Sequence, residues 1–251
     1  MRTQQGTPIR RDAYQPLAYQ VETVDLDFVL DPKATVVSNR MRCVRNPQAA
    51  AGPVVLYGEA LACLSVRIDG AAPADGQVRT VEGGLEIDVD ADVVVLEIVT
   101  RIDPSANLTL SGLYQSRGGY YTQCEAEGFR RITYFPDRPD VMARYTVRLE
   151  ADAATCPVLL SNGNLLETGT LPGGRHFARW EDPFPKPSYL FALVAGRLEV
   201  SEQTLRARSG RDRRPAHAGR APARRNGRRA APASRRCGAR RRCRCRCRRS
   251  S

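Results

Sequence analysis

The sequence predicts an all-β fold, an antiparallel β-sandwich or saddle-like sheet assembly over residues 20–200, followed by a disordered basic tail. Two observations predict it. Apolar side chains recur at every second position in short runs, and Pro and Gly turns fall between the runs. Charge also divides the chain. From Ser201 onward there are 19 Arg, no Lys and two acids, Glu202 and Asp212, whereas the first 200 residues hold 20 basic and 25 acidic side chains. A mildly acidic body carries a strongly basic tail, and the two demand separate readings.

Residues 1–19 form a polar N-terminal extension without the apolar stretch of a secretory signal. Val24, Leu26, Phe28 and Leu30 then alternate with Asp25, Asp27 and Val29, the pattern of a half-buried strand. Leu64-Val66-Ile68, Leu85-Ile87-Val89, Leu96-Ile98 and Tyr145-Val147-Leu149 repeat it. Between them lie Asn46-Pro47, Gly52-Pro53, Asp69-Gly70, Gly83-Gly84 and Asp103-Pro104. Asn162-Gly163 stands between two apolar runs and predicts a hairpin. Ser188–Ala195 is a continuous apolar run and predicts a strand buried on both faces. The many short strands argue for packed antiparallel sheets, and no internal repeat or long amphipathic helix interrupts them.

The tail, residues 201–251, changes character near Gly210. After Asp212 it contains no acid and no aromatic residue, and its only aliphatic residues are Ala and Pro. It cannot bury enough apolar surface to offset its ordering entropy, which predicts disorder. Arg, Ala, Gly and Pro without Lys, Ile, Phe or Tyr is also what a GC-rich frame yields when translated out of register, so a frameshift from about residue 211 is expected. Cys237, Cys243, Cys245 and Cys247 lack the paired spacing of a structural zinc site. The body's Cys43, Cys63, Cys124 and Cys156 are widely separated, and in a body of this length without a signal reduced cytosolic thiols are the expectation. No window nears the roughly 18 apolar residues of a membrane span, so the chain is expected to be cytoplasmic and soluble.

The chemistry concentrates in Gly118–Tyr145. Gln123, Glu125, Glu127, Arg130, Arg131, Asp137, Arg138 and Asp140 lie there among aromatic residues and two Pro turns. Carboxylates beside guanidinium groups form charge-assisted pairs that hold a loop rigid. The plainer possibility is that Glu127, Asp137 and Asp140 simply pair with neighbouring Arg on a surface.

This stretch, Gln123-Cys-Glu-Ala-Glu-Gly-Phe-Arg-Arg-Ile-Thr-Tyr134, resembles that of the bacterial aminopeptidase N family of zinc metallopeptidases. The likeness continues through Asp137–Val141, Leu160–Asn164, Trp180–Pro187 and Tyr189–Gly196, over about residues 10–210. It implies the family's N-terminal domain, a β-rich saddle that caps one side of a thermolysin-like catalytic domain. It further implies that Glu125 receives the free α-ammonium of a peptide and that Gln123 lies beside the first side chain. The chemistry is coherent: an exopeptidase must recognise a charged chain end, and a partly desolvated carboxylate rewards that charge. Cys124, between them on a strand, is expected to face inward as a structural thiol. Glu127 shares the face of Glu125 if the strand continues.

The hydrolytic half of such a site is missing from the sequence. Its only histidines are His176 and His217, and neither belongs to a His-Glu-x-x-His helix. The chain is therefore expected to bind no catalytic zinc, to carry no catalytic residue, and to act as a truncated amine-recognition domain whose natural partners are a peptide N-terminus and the absent catalytic domain. The exposed docking face predicts aggregation. Two other readings stand beside it: a non-enzymatic β-sandwich that binds peptides, and an Arg-rich arm that binds nucleic acid without sequence preference.

Overall fold

A computed structural model describes residues 14–201 together with the segments Leu205–Arg206, Asp212–Arg213 and Ala218–Arg220. In chain order the strands are β1 (Tyr19–Val29), β2 (Thr35–Arg45), β3 (Val54–Tyr57), β4 (Ala62–Ile68), β5 (Val78–Val81), β6 (Gly84–Ile87) and β7 (Val93–Ile102). There follow β8 (Gly112–Ser116), β9 (Gly119–Gln123), β10 (Ala143–Asp152), β11 (Val158–Ser161), β12 (Asn164–Leu171), β13 (Arg175–Lys186) and β14 (Leu193–Gly196). The helical segments among the described residues are single 3-10 turns, at Phe129–Arg131, Pro172–Gly174 and Ser188–Leu190.

Seven strands form the main sheet in the order β12-β13-β10-β1-β2-β7-β4. A four-stranded sheet (β11-β14-β9-β8) and a three-stranded one (β3-β6-β5) complete the body. The fold is all-β and rich in antiparallel pairing, as the alternation predicts. One pair departs from it: β1 and β10 run parallel, with Val24 opposite Tyr145 and Phe28 opposite Leu149. Val24, Leu26 and Phe28 face the core from β1, while Tyr145, Val147 and Leu149 face it from β10. The core lies between the main sheet and the segments folded over it. Phe28 stacks on Phe191 at 5.9 Å, and Phe129 meets Phe135, Tyr145 and Phe191 edge-on.

Three local expectations are corrected. Asn162-Gly163 is a corner, not a hairpin: β11 pairs with β14, and β12 pairs with β13. The Asn162 side chain donates to the Leu190 carbonyl and accepts from the Ala192 amide, which turns the chain from one sheet to the other. The Ser188–Ala195 run divides into a 3-10 turn and β14, and Leu190 stays half exposed. β4 forms a sheet edge on which Leu64 is exposed and Ile68 alone is buried. Beyond the body, Glu199–Ser201 pairs with Ala218–Arg220 and Leu205–Arg206 with Asp212–Arg213. The predicted disorder and frameshift of the tail fall largely on residues outside those described.

The main sheet's outer face carries ladders of ions. Asp25 and Glu97 flank Arg40, and Asp27-Arg148-Glu150-Arg175 alternate across β1, β10 and β13. A groove of about 740 Å³ runs along this face. Burial alone pushes the Glu150 carboxyl up, but hydrogen bonds and charge from Arg175 and Arg148 outweigh it and hold the group below its ordinary 4.5. At Asp27 burial outweighs Arg148, and the carboxyl is pushed up. The stability Glu150 contributes is full above its unfolded value and is lost as pH falls through its lower, folded one. Asp27 works in the opposite sense, favouring the fold once protonated, and softens the loss. The melting temperature is expected to fall on acidification from about pH 5 to about pH 3, and Glu150→Gln to flatten that slope while lowering stability at neutral pH. Circular-dichroism melts across this range check it; an unchanged slope in the variant refutes the assignment.

Candidate substrate-recognition site

β9 is held between β8 and β14 and delivers Gln123, Cys124 and Glu125 to one end of the smaller sheet. Period-two alternation sends Cys124 inward, where it is 2% exposed, and leaves Gln123 and Glu125 at the surface. Burial pushes the Cys124 thiol up, as expected of an inert structural cysteine. The Gln123 amide donates to the Glu125 carbonyl at 3.4 Å, and the Glu125–Ala126 peptide is cis. The strand stops there. Residues 125–128 form a turn closed by the Gly128 amide on the Cys124 carbonyl at 2.7 Å. Glu127 therefore does not continue the strand face of Glu125; its carboxylate lies 3.4 Å from Arg130.

Around this turn each acid except one has a cation. Asp137, 2% exposed, accepts from the Arg130 amide at 3.1 Å, from Arg130 Nε at 3.2 Å and from the Ser188 hydroxyl. Arg130 also donates to the Asp137 carbonyl at 2.9 Å and stacks over the Tyr57 ring at 4.6 Å. Arg138 grips both oxygens of Asp140, at 2.9 and 2.6 Å, and Tyr14 donates to the same carboxylate. Arg131 pairs with Glu59. The surface pairing expected of Glu127 and Asp140 is what the structure shows, but Asp137 belongs to the interior. Among the described residues Glu125 has no ion-pair partner.

The main sheet anchors the far side of the loop. Asn39 and Thr100, both buried, donate to the carbonyls of Tyr134 and Ile132. The link from Asp137 to Ser188 was not legible in the sequence, although two prolines fixing the chain around Asp137 mark it as built into a turn. His176 is a β13 residue whose Nε2 meets the Cys156 carbonyl at 2.7 Å. Among the described residues no group of three His, Cys, Asp or Glu is placed to hold a metal. Catalytic zinc does not fit these residues. Nor is any helix among them long and apolar enough to cross a membrane.

A strand that leads into exposed Gln123 and Glu125 about a buried Cys124, on a loop tied to a seven-stranded sheet, can be compared with known proteins. Residues 72–190 match the Peptidase M1 N-terminal domain, and the chain is 50% identical over 212 residues to aminopeptidase N of Caulobacter vibrioides. The chain is homologous to the N-terminal domain of bacterial M1-family zinc metallopeptidases. The Caulobacter match covers 84% of this chain and 24% of that relative. Aminopeptidase N of Escherichia coli is 46% identical over 210 residues, again 84% of this chain and 24% of the relative. The chain thus spans about a quarter of the length of the curated relatives it matches. Among solved structures, aminopeptidase A of Legionella pneumophila superposes with a TM-score of 0.75 at 34% identity, over 80% of this chain and 24% of that one. An M1 zinc metallopeptidase of Deinococcus radiodurans, at 17% identity and a TM-score of 0.63, covers 75% of this chain and 44% of its own, and shares the fold.

Proposed function

We propose that this M1 domain supplies the amine-recognition half of an aminopeptidase N-type site. Glu125 receives the α-ammonium of a peptide and Gln123 borders its first side chain. Hydrolysis by zinc-activated water belongs to residues that this sequence does not hold, since it has no His-Glu-x-x-His. The observation that carries the reading is the exposed carboxylate of Glu125, unpaired among the described residues, on a turn whose other acids are all occupied.

The selectivity follows from charge. A free N-terminus brings an ammonium that satisfies the carboxylate, whereas an acetylated one leaves it desolvated and unpaired. Binding spent equally on the ammonium in the ground and transition states lowers KM, and holding that group, one carbon from the scissile carbonyl, orients the first residue. The expected partner is the catalytic part of a longer M1 enzyme, and exposed Phe184, Leu165 and Leu190 offer apolar surface for such a partner. The described cysteines are unpaired, which supports a reducing, cytoplasmic setting.

The test grafts residues 1–200 in place of the matching domain of the Caulobacter aminopeptidase N. Glu125→Gln in this hybrid is expected to lower kcat/KM on an alanine substrate about 100-fold, chiefly through KM. Equal values for the two hybrids would sink the assignment of Glu125.

A further inference from the structure

Glu125 is surrounded in sequence by groups that could neutralise it, and the structure shows why they do not. Arg130 is the nearest cation along the chain, five residues on. Its guanidinium is fully engaged: Nε on the Asp137 carboxylate, one terminal nitrogen on the Asp137 carbonyl, the other 3.4 Å from Glu127, and the face on Tyr57. Asp137 is almost wholly buried, and a buried carboxylate is costly unless its lone pairs are met. They are met here by a backbone amide and a guanidinium of the very turn that carries Glu125, and by the hydroxyl of Ser188 from a segment about fifty residues away.

We propose that Asp137 is a positioning residue of the amine site. It holds Arg130 away from Glu125 and fixes the 125–131 turn to the Ser188 segment, so that the Glu125 carboxylate stays free and aimed outward for the peptide's ammonium. The inference rests on the reading of Glu125 given above. The role is one of allocation: residues 125–140 hold four carboxylates, Glu125, Glu127, Asp137 and Asp140, against three cations, Arg130, Arg131 and Arg138, and Asp137 decides which carboxylate is left over. Ser188 is the third point of this support, because its hydroxyl occupies the second oxygen of Asp137. The sequence stretch Pro187-Ser188 therefore contributes to the site although it lies outside the Gln-Cys-Glu segment.

The experiment uses the full chain, with amide chemical shifts of Gln123–Gly128 followed as trialanine or N-acetyl-trialanine is added. The wild type is expected to respond to the free amine and not to the acetylated peptide. Asp137→Asn is expected to weaken trialanine binding about tenfold by releasing Arg130 toward Glu125. Adding Arg130→Met to it is expected to restore most of the loss, which a merely structural defect would not allow. In a Glu125→Gln background Asp137→Asn is expected to have no further effect. Should Asp137→Asn lose its dispersed spectrum, Ser188→Ala decides by the same comparison, since it strips the second oxygen of Asp137 of its hydroxyl and so loosens that carboxylate's hold on Arg130 while removing only one small group.

The outcomes separate cleanly. Binding unchanged by Asp137→Asn or, where that variant unfolds, by Ser188→Ala overturns the inference. So does a loss that persists undiminished in the Glu125→Gln background, and in both cases the amine-site reading survives. A wild-type chain that does not tell trialanine from its acetylated form overturns that reading, and the inference falls with it.

Discussion

Phe129→Ala is expected to destabilise the domain by about 4 kcal/mol, the upper range for a buried aromatic truncated to a methyl. Phe129 is fully buried and lies at the meeting point of three rings, with Phe135 at 5.0 Å, Phe191 at 5.2 Å and Tyr145 at 6.1 Å. Those three come from the loop before Asp137, from the segment leading into β14 and from β10, so the cavity would open where sheet and loops are joined. Neighbours anchored on a sheet collapse poorly into such a void. Against a total stability of about 5–15 kcal/mol, the loss brings the chain to the edge of unfolding. Urea titration followed by tyrosine and tryptophan fluorescence measures it, with Phe129→Leu as the milder control. A shift below about 1 kcal/mol would show that the ring cluster is not the junction it looks to be.

The second large effect is expected at Gly128. Its φ of −85° is open to any residue, so glycine is required here by space and not by backbone conformation. A Cβ would stand 2.4 Å from the Gln123 carbonyl oxygen, 2.9 Å from Cys124 Cα and 3.0 Å from the Gly112 nitrogen. All three are backbone atoms, and none can swing aside as a side-chain tip could. Gly128→Ala must therefore push the turn off the ends of β8 and β9 and stretch the bond from the Gly128 amide to the Cys124 carbonyl. A cost of about 3 kcal/mol is expected, with a lower melting temperature. Because the displaced turn carries Glu125, discrimination between free and acetylated trialanine should collapse even at temperatures where the variant is folded. Retained discrimination in a folded Gly128→Ala chain would mean that the turn's position is immaterial to the site.

What the sequence made legible was the element and its inward face; what it hid was the partner. Alternation marked Val24-Leu26-Phe28 and Tyr145-Val147-Leu149 as strands, and the same residues face the core. That these two strands run side by side and parallel, more than a hundred residues apart, is a fact of tertiary packing with no local signature. The Asn162-Gly163 turn was likewise real but its strands went to different sheets, because the Asn162 side chain binds the backbone of Leu190 and Ala192 instead of closing a hairpin. Pro187 and Ser188 broke the apolar run that followed, through a 3-10 turn. In the site, Gln123 and Glu125 were named by resemblance to a family and not by any pattern in the residues. The burial of Asp137 and its tie to Ser188 could not be foreseen, since charge on a turn reads the same whether it faces water or the interior.

The placement of β1 has a consequence for the order in which the molecule is made. Among the described strands β1 is synthesised first, and it takes a middle position in the main sheet, flanked by β2 on one side and by β10 on the other. The second neighbour is synthesised more than a hundred residues later, so the sheet's centre closes only when most of the body has emerged. Until then the nascent sheet of β1, β2, β7 and β4 keeps one flank of β1 open, inviting a chaperone or a neighbouring chain to bind there.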